Sequence, residues 1–232
     1  MRLGQRPKSE PAGTARRILD HARHVFNERG LHGVGIREIA RDLDLSPGNV
    51  SYHFPTKEAL VAALYEQAHA ENDAVTEATA GPLDLVAVDR IVRAIMARDL
   101  HDRWAMRDFV GLLVALPGLR ALHQRMQRRR EARVDHIVQG LVDAGMLDEQ
   151  RTVRTASELR RQFLTQVFFW LPAAIVEAPD RDPAERLDAH ARAALALFLG
   201  YCTPAGRRQL EAVLAPAVPA SGRRRRARKH RA

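Results

Sequence analysis

A single cysteine, Cys202, stands in 232 residues. No internal disulfide can form, and a reducing compartment is expected. Long apolar runs are missing too. The longest, Val167–Val176 and Ala193–Cys202, are ten residues each, about half of the ~20 that a membrane-spanning helix needs. The opening "MRLGQRPKSEPAG" is polar and lacks the apolar segment of a signal peptide. A soluble, cytoplasmic chain with no membrane partner is expected. Period-two strand patterns and internal repeats are absent, as are a nucleotide-binding glycine loop, a Ser-His-Asp set and a cysteine cluster. No cofactor and no metal are expected.

Charge is present, but unevenly. The net charge is +9. Residues 222–232 carry seven Arg or Lys and no acid, and residues 1–17 carry five basic residues and one acid. The body between them is slightly acidic. Basic ends on such a body fit nucleic-acid contact, and equally fit a solubilising tail.

Helical periodicity dominates the rest. Ile18, Leu19, Ala22, Val25 and Phe26 mark one face of a helix over about 14–28, ended by Gly30. Ile36, Ile39, Ala40 and Leu43 mark a short second helix, and a third covers 47–53. Later helices are expected over 57–78, from about Leu85 to Met96, and over 104–116, 119–144, 153–176 and 182–201. A short last one runs from 203 to about 214. Asp182, Pro183 and Glu185 form a clear helix start. Pro172 is expected to kink its helix. The stretch "QRRREAR" (127–133) is polar all round and is expected to be exposed. The fold class is therefore all-α, with nine to ten helices.

The segment "LSPGNVSYHFPTKEAL" (45–60) explains why one helix is so short. Ser46 caps a helix opening at Pro47, Pro55 ends it, and Thr56 caps the next. With the residues before it, this makes helix, tight turn, helix. Ile36, Ile39, Ala40, Leu45 and Val50 lock the pair inward. Gly48, Asn49, Ser51, Tyr52 and His53 are left facing outward. A short helix with small or polar residues at its start can enter a major groove, where Asn pairs with adenine and Ser donates or accepts. Lys57, in the first turn of the next helix, is placed to hold a phosphate. A structural helical hairpin fits the spacing as well.

"GVGIREIARDLDLSPGNVSYHFPTKEALVAALY" resembles the DNA-binding domain of the TetR family of bacterial transcriptional regulators. The likeness covers about residues 13–65. It rests on Gly30, Arg37-Glu38-Ile39-Ala40, Ser46-Pro47-Gly48, Tyr52-His53-Phe54 and Lys57-Glu58-Ala59-Leu60. It implies an all-helical homodimer with a three-helix N-terminal domain and a variable domain for ligand binding and dimerisation. It also implies that Arg37, Asn49, Ser51, Tyr52 and His53 face DNA and that Lys57 contacts phosphate. Three positions depart from the pattern. Asp44 stands where Gly is usual in the turn, Gly35 replaces a Ser or Thr cap, and Ser51 replaces a common Tyr.

On this reading residues 1–12 form a flexible basic arm and 13–60 the DNA-binding domain, with the motif at about 35–54. Residues 61–216 form the effector and dimerisation domain, and 217–232 a disordered basic tail. Trp104, Met106, Phe109, Leu113, His123 and Met126 are either ordinary core or the lining of an apolar effector pocket. Helices carrying "FLTQVFFW" and "HARAALALFLG" are too apolar to face water. Either they are buried within one subunit or they pair with their twofold mates; the resemblance implies the pairing, through Phe163, Val167, Phe168, Leu187, Ala191, Leu195 and Phe198.

The expected function is a non-enzymatic, homodimeric regulator, most simply a repressor. It binds a double-stranded palindromic operator and is released by a small-molecule effector. His101-Asp102 raises one rival, an HD-type metal-dependent phosphohydrolase, but His69, Asp73, Asp135 and His136 do not complete its spacing, and a surface junction explains the pair as well. His21 and His24 suggest ligation by their spacing, although exposed histidines on a needed helix suffice. A sequence-independent nucleic-acid binder driven by the basic ends is the other rival.

Overall fold

The computed structural model describes residues 11–77, 83–107 and 109–215. The basic tail, 217–232, and most of the arm, 1–12, lie outside the described residues. Among those described, twelve α-helices follow one another. They are α1 (Pro11–Arg29), α2 (Ile36–Asp42), α3 (Pro47–His53), α4 (Lys57–Glu77), α5 (Leu85–His101), α6 (Arg103–Arg107), α7 (Phe109–Ala115), α8 (Pro117–Asp143), α9 (Glu149–Arg154), α10 (Ala156–Glu177), α11 (Leu187–Ala196) and α12 (Pro204–Leu214). The fold is all-α. The only extended pairing described is an isolated bridge between Leu147 and Cys202.

Local chemistry sets most boundaries. The side-chain oxygens of Ser46, Asp84, Asp148 and Thr203 each accept a backbone N–H from the first turn of the helix that follows, satisfying donors that have no partner within the helix. Two helices close alike. After α8, Gly145 adopts φ +68° while Gly145 N–H bonds Val142 O and Met146 N–H bonds Leu141 O. After α2, Asp44 adopts φ 54° while Asp44 N–H bonds Arg41 O and Leu45 N–H bonds Ala40 O. Both are Schellman closures. The second is the tight turn of the motif, made with Asp instead of Gly.

Four expected boundaries shift. The helix expected over 104–116 is two, α6 and α7. The one over 153–176 is also two, α9 and α10, because Thr155 leaves helical geometry at φ −135°, ψ 24° and its hydroxyl donates to the Tyr201 hydroxyl. The start at Asp182-Pro183 is a 3-10 turn (Pro183–Arg186) leading into α11. The helix expected over 119–144 opens two residues earlier as α8, at Pro117, whose missing N–H costs nothing there. Helix α10 runs on through Pro172.

Two apolar clusters hold the chain. One gathers α5, α8, α10, α11 and α12 around Met96, Leu141, Trp170, Leu171, Leu195 and Phe198. The other is built on α1 to α4 but also takes in Trp104, Phe109, Leu112, Leu119 and Leu122. The core of the helix-turn-helix therefore continues into α6, α7 and the start of α8.

The expectation for "QRRREAR" is corrected here. Arg128 and Arg129 are exposed, but Arg130 turns inward against His69 and the Phe168 ring, and Arg133 pairs with Asp73 at 2.6 Å. α4 and α10 lie over that side of α8, so its polar turn meets protein there instead of water.

Candidate nucleic-acid interface

The helix-turn-helix is assembled from α2 and α3. Val50 is fully buried and Phe54 nearly so, and they anchor α3 in the N-terminal core with Ile39 and Ala40. A seven-residue helix held by two apolar residues must show its other sides. Gly48 and Asn49 are exposed, Tyr52 is 79% exposed, and Ser51 and His53 are half-buried. The Tyr52 and His53 rings meet edge to face, 5.2 Å apart. Arg37 is exposed on α2, the neighbouring helix. Lys57 is different. Its ammonium donates to the Leu31 carbonyl at 2.5 Å, and its pKa is lowered, mainly by burial.

Ion pairs brace this unit from behind. Arg29 pairs with Glu38, and with Asp42 at 3.5 Å, while His21 Nε2 lies 3.3 Å from Asp42. His21 thus ties α1 to α2, and His24 lies 3.4 Å from Glu28. Neither sits in a metal-ligand set: among the described residues no group of three or more His, Cys, Asp or Glu could hold an ion.

His101-Asp102 has a structural task that sequence reasoning missed. Asp102 is buried, and its carboxylate pairs with the buried Arg23 of α1 at 2.9 Å and accepts the Trp104 indole N–H. Asn27 of α1 donates to the His101 carbonyl at 2.8 Å and accepts the Trp104 N–H at 2.9 Å. The Phe26 and Trp104 rings lie 5.9 Å apart. The α5–α6 corner is therefore clamped onto α1. The surface junction expected from sequence holds for His101, which is exposed, but not for Asp102, which is buried. Trp104, at 1% exposure, packs into this clamp and lines none of the cavities described next.

Three cavities are lined by helices from α4 to α10. The largest, about 390 Å³, opens beside Phe109, His123, Phe168 and Phe169 with Arg160 and Arg161 at its edge. A second, about 300 Å³, lies along α4 and α8 and includes Met126. Met106 and Leu113 line neither. The third is small, about 90 Å³, and lies between α4, α5, α8 and α10. Its walls are Val88, Ile91, Val92, Ile95, Val134 and Val167, with Asp99 and Arg130 among the polar groups.

A buried polar cluster borders this inner cavity. Arg130 Nη2 is 2.8 Å from His69 Nδ1, Tyr65 Oη is 2.7 Å from His123 Nδ1, and Asp99 accepts the Trp170 indole N–H at 2.9 Å. Burial drives the ionisations toward neutrality. It pushes Tyr65 up to about 12 and Asp99 up to about 7, and, with the Arg130 charge adding to the effect, His69 down to about 2 and His123 to about 4.

The seam residues also need correction. Ala191, Leu195 and Phe198 are completely buried by their own chain, and Phe163 and Val167 nearly so. Only Phe168 and Leu187 are half-buried. α10 and α11 pack on each other and on α5, which satisfies their apolar sides within one subunit. The outward face of α10 still carries Phe169 and Val176, 41% and 81% exposed.

A projecting helix on a helix-turn-helix, clamped to a second helical unit containing cavities, defines the class of a DNA-binding regulator. Residues 18–64 match the family described as bacterial regulatory proteins, tetR family, and residues 66–210 match the family described as bacterial transcriptional repressor. The chain belongs to the TetR family; it is a DNA-binding transcriptional regulator and not an enzyme. The HTH-type transcriptional regulator UidR of Escherichia coli K12 is 38% identical over 60 residues, which are 26% of this chain and 31% of that protein. A probable HTH-type regulator, YttP of Bacillus subtilis, is 37% identical over 57 residues, 23% of this chain and 28% of that one. The chain thus aligns with about a third of the length of these relatives. A TetR-family regulator from Marinobacter aquaeolei superposes with a TM-score of 0.73 at 23% identity, covering 87% of this chain and 97% of that one. A regulator from Saccharomonospora viridis in complex with choline gives 0.64 at 20%, covering 82% and 96%. At these identities the likeness speaks for the fold. No helix described is long and apolar enough to cross a membrane.

Proposed function

We propose that the chain is a homodimeric, cytoplasmic repressor that binds a palindromic operator and leaves it when a small molecule enters the second domain. One observation carries this reading. A single helix, α5, lines the inner cavity with Val88, Ile91, Val92, Ile95 and Asp99, and three residues further on grips the DNA-binding unit through Asp102 and Arg23. Glu71 of α4 adds a second link, pairing with both Arg98 of α5 and Arg23 of α1. A ligand that moves α5 moves α1, and with it the recognition helix.

The DNA face is Arg37, Gly48, Asn49, Ser51, Tyr52, His53 and Lys57. Lys57 gives one ammonium hydrogen to Leu31 and keeps two for a phosphate. The dimer seam lies on the outward sides of α10 and α11, where Phe169, Val176, Ala189 and Ala193 face away from the core, and not on the buried residues between them. Two recognition helices roughly 34–36 Å apart would read an inverted repeat.

The test begins with selection of bound duplexes from a random library. An inverted repeat is expected among the winners, with sedimentation showing two subunits. Phe169→Glu should yield folded monomers that lose the selected site. Winners without symmetry, or a Phe169→Glu protein that remains a DNA-competent dimer, would remove the homodimer and its seam. A sequence-independent binder would enrich no motif.

A further inference from the structure

The largest cavity, an outer cleft between α7, α8 and α10, is walled by rings. Phe109 and Phe168 lie 4.9 Å apart, Phe168 and Phe169 5.0 Å, and Phe109 and His123 5.0 Å, each pair close to edge on face. Phe109 is buried, Phe168 half-buried and Phe169 exposed. Apolar ring surface thus runs along one wall from the core out to water. The space is about 390 Å³, within the roughly 300–1,000 Å³ of ordinary small-molecule sites.

His123 supplies the polar point, and its hydrogen-bonding sense is fixed from behind. Its Nδ1 is 2.7 Å from the Tyr65 oxygen. Arg130 hydrogen-bonds the same phenol. A guanidinium only donates, so the phenol oxygen accepts from it and gives its own hydrogen to His123 Nδ1. Burial and the Arg130 charge hold His123 neutral by pushing its pKa down to about 4. A neutral imidazole that accepts at Nδ1 carries its proton on Nε2. That nitrogen is not among those closed to solvent without a partner, and His123 lines the cleft. Nε2–H is therefore a donor of set direction beside a wall of rings.

The rim is satisfied within itself. Arg160 is matched by Asp135 at 2.6 and 2.8 Å, the Ser157 hydroxyl donates to Glu158, and the Thr165 hydroxyl donates to the Arg161 carbonyl. Arg161 and Glu131 stand at the mouth, one of each sign. No net charge is left for a ligand to neutralise, and moving a charge from water onto rings is costly.

We propose that this cleft binds an uncharged aromatic carbonyl compound, with its ring against Phe109, Phe168 and Phe169 and its carbonyl oxygen accepting from His123 Nε2. It is a second site, divided from the inner cavity by Leu164 and Phe168, which border both. Phe169 also belongs to the proposed seam, so a partner subunit would stand beside the outer edge of the cleft.

The probe is acetophenone, titrated into the full-length protein by calorimetry and by ligand-observed NMR. Cyclohexyl methyl ketone keeps the acceptor and loses the ring, benzoate adds a charge, and ethylbenzene keeps the ring and loses the acceptor. Acetophenone should bind roughly three- to tenfold more tightly than cyclohexyl methyl ketone and at least roughly tenfold more tightly than benzoate. His123→Leu should cost acetophenone roughly three- to tenfold and leave ethylbenzene unchanged. Ethylbenzene leaves water more readily than the ketone, so the donor is read from this difference in loss and not from the two affinities. If His123→Leu does not fold, Gln127→Trp fills the cleft from α8 with His123 intact and should abolish acetophenone binding. Arg128→Gln, exposed on the same helix, should change nothing. Absence of acetophenone binding overturns the proposal, as does equal affinity for cyclohexyl methyl ketone or benzoate. So do equal losses of acetophenone and ethylbenzene in folded His123→Leu, or full acetophenone affinity in Gln127→Trp.

Discussion

Asn49 and Asp44 lie five residues apart and show two kinds of constraint. Asn49 is exposed on α3 and its backbone N–H is capped by Ser46 Oγ at 3.1 Å, so its side chain amide is available for a base. Asn49→Ala should cost about 1–3 kcal/mol on the selected duplex and much less on random DNA. Fluorescence anisotropy on both duplexes checks it, and equal losses would take Asn49 out of sequence reading. Asp44 is constrained by its backbone. At φ 54° an L-residue carries a steric penalty that glycine escapes, about 1 kcal/mol or somewhat less for Asp. Asp44→Gly should raise stability by a fraction of that, and Asp44→Val should lower it by about 1–2 kcal/mol. Urea denaturation would contradict this account if the valine variant matched the parent. The outward set on α3 was readable in the sequence, because its cap, its proline stop and its two anchors are neighbours. The inward turn of Lys57 was not, since its acceptor, Leu31 O, is 26 residues away.

At the scale of elements, the closure between α8 and α12 is a close backbone approach. Thr203 N–H bonds Met146 O at 3.0 Å, and Thr203 Oγ1 bonds Gly145 O at 2.7 Å. This draws α12 down until a methyl group on Gly206 would stand 2.0 Å from the Met146 carbonyl oxygen. Gly206→Ala must therefore displace backbone, and should cost about 1–3 kcal/mol or more. A thermal unfolding curve unchanged from the parent would mean that α12 shifts freely. The sequence marks this helix start clearly through Thr203-Pro204, but nothing local reveals that a glycine three residues on is there for close approach. The same limit explains α8. Its "QRRREAR" turn looks solvated by composition, yet Arg130 and Arg133 face α4 and α10. Long polar side chains reach partners that periodicity does not register.

At the scale of the molecule, charge buried between elements links the two units and makes stability depend on pH. Asp99 is more easily protonated in the fold than in the unfolded chain, with its pKa pushed up to about 7 from an ordinary 3.8. Its contribution is complete below the unfolded value and fades as pH rises through about 7. His69 and His123, held neutral, act oppositely: their contribution is complete above the ordinary 6.5 and fades as pH falls toward their lowered values. Asp99→Asn should remove the first effect alone. The variant's stability relative to the parent should therefore rise from about pH 4 to about pH 7, as read by urea unfolding at four pH values. A flat difference would show that Asp99 does not titrate in this window. The Arg23–Asp102 pair, with both side chains under a tenth exposed at 8% and 9%, is the other device at this scale. Asp102→Ala leaves the buried Arg23 with only the 3.6 Å pair to Glu71 and should cost up to about 3–5 kcal/mol; a loss below about 1 would mean that the clamp is idle.

The sequence by itself determined the all-helical class, most helix starts, the tight turn and the outward face of the short helix. Each depends on residues within one or two turns of one another, where capping, proline geometry and apolar spacing act. The tertiary structure alone decided which apolar residues are core. The "FLTQVFFW" and "HARAALALFLG" runs look alike as surfaces for a partner, yet Leu195 and Phe198 are covered by α5 and α10 of their own subunit while Phe169 and Val176 are left outside. It also decided that Asp102 serves α1 and that Arg130 turns inward against His69 and Phe168. A buried charge is placed by the partners that compensate it, and here those partners come from helices that are distant in the chain and meet only when the core closes.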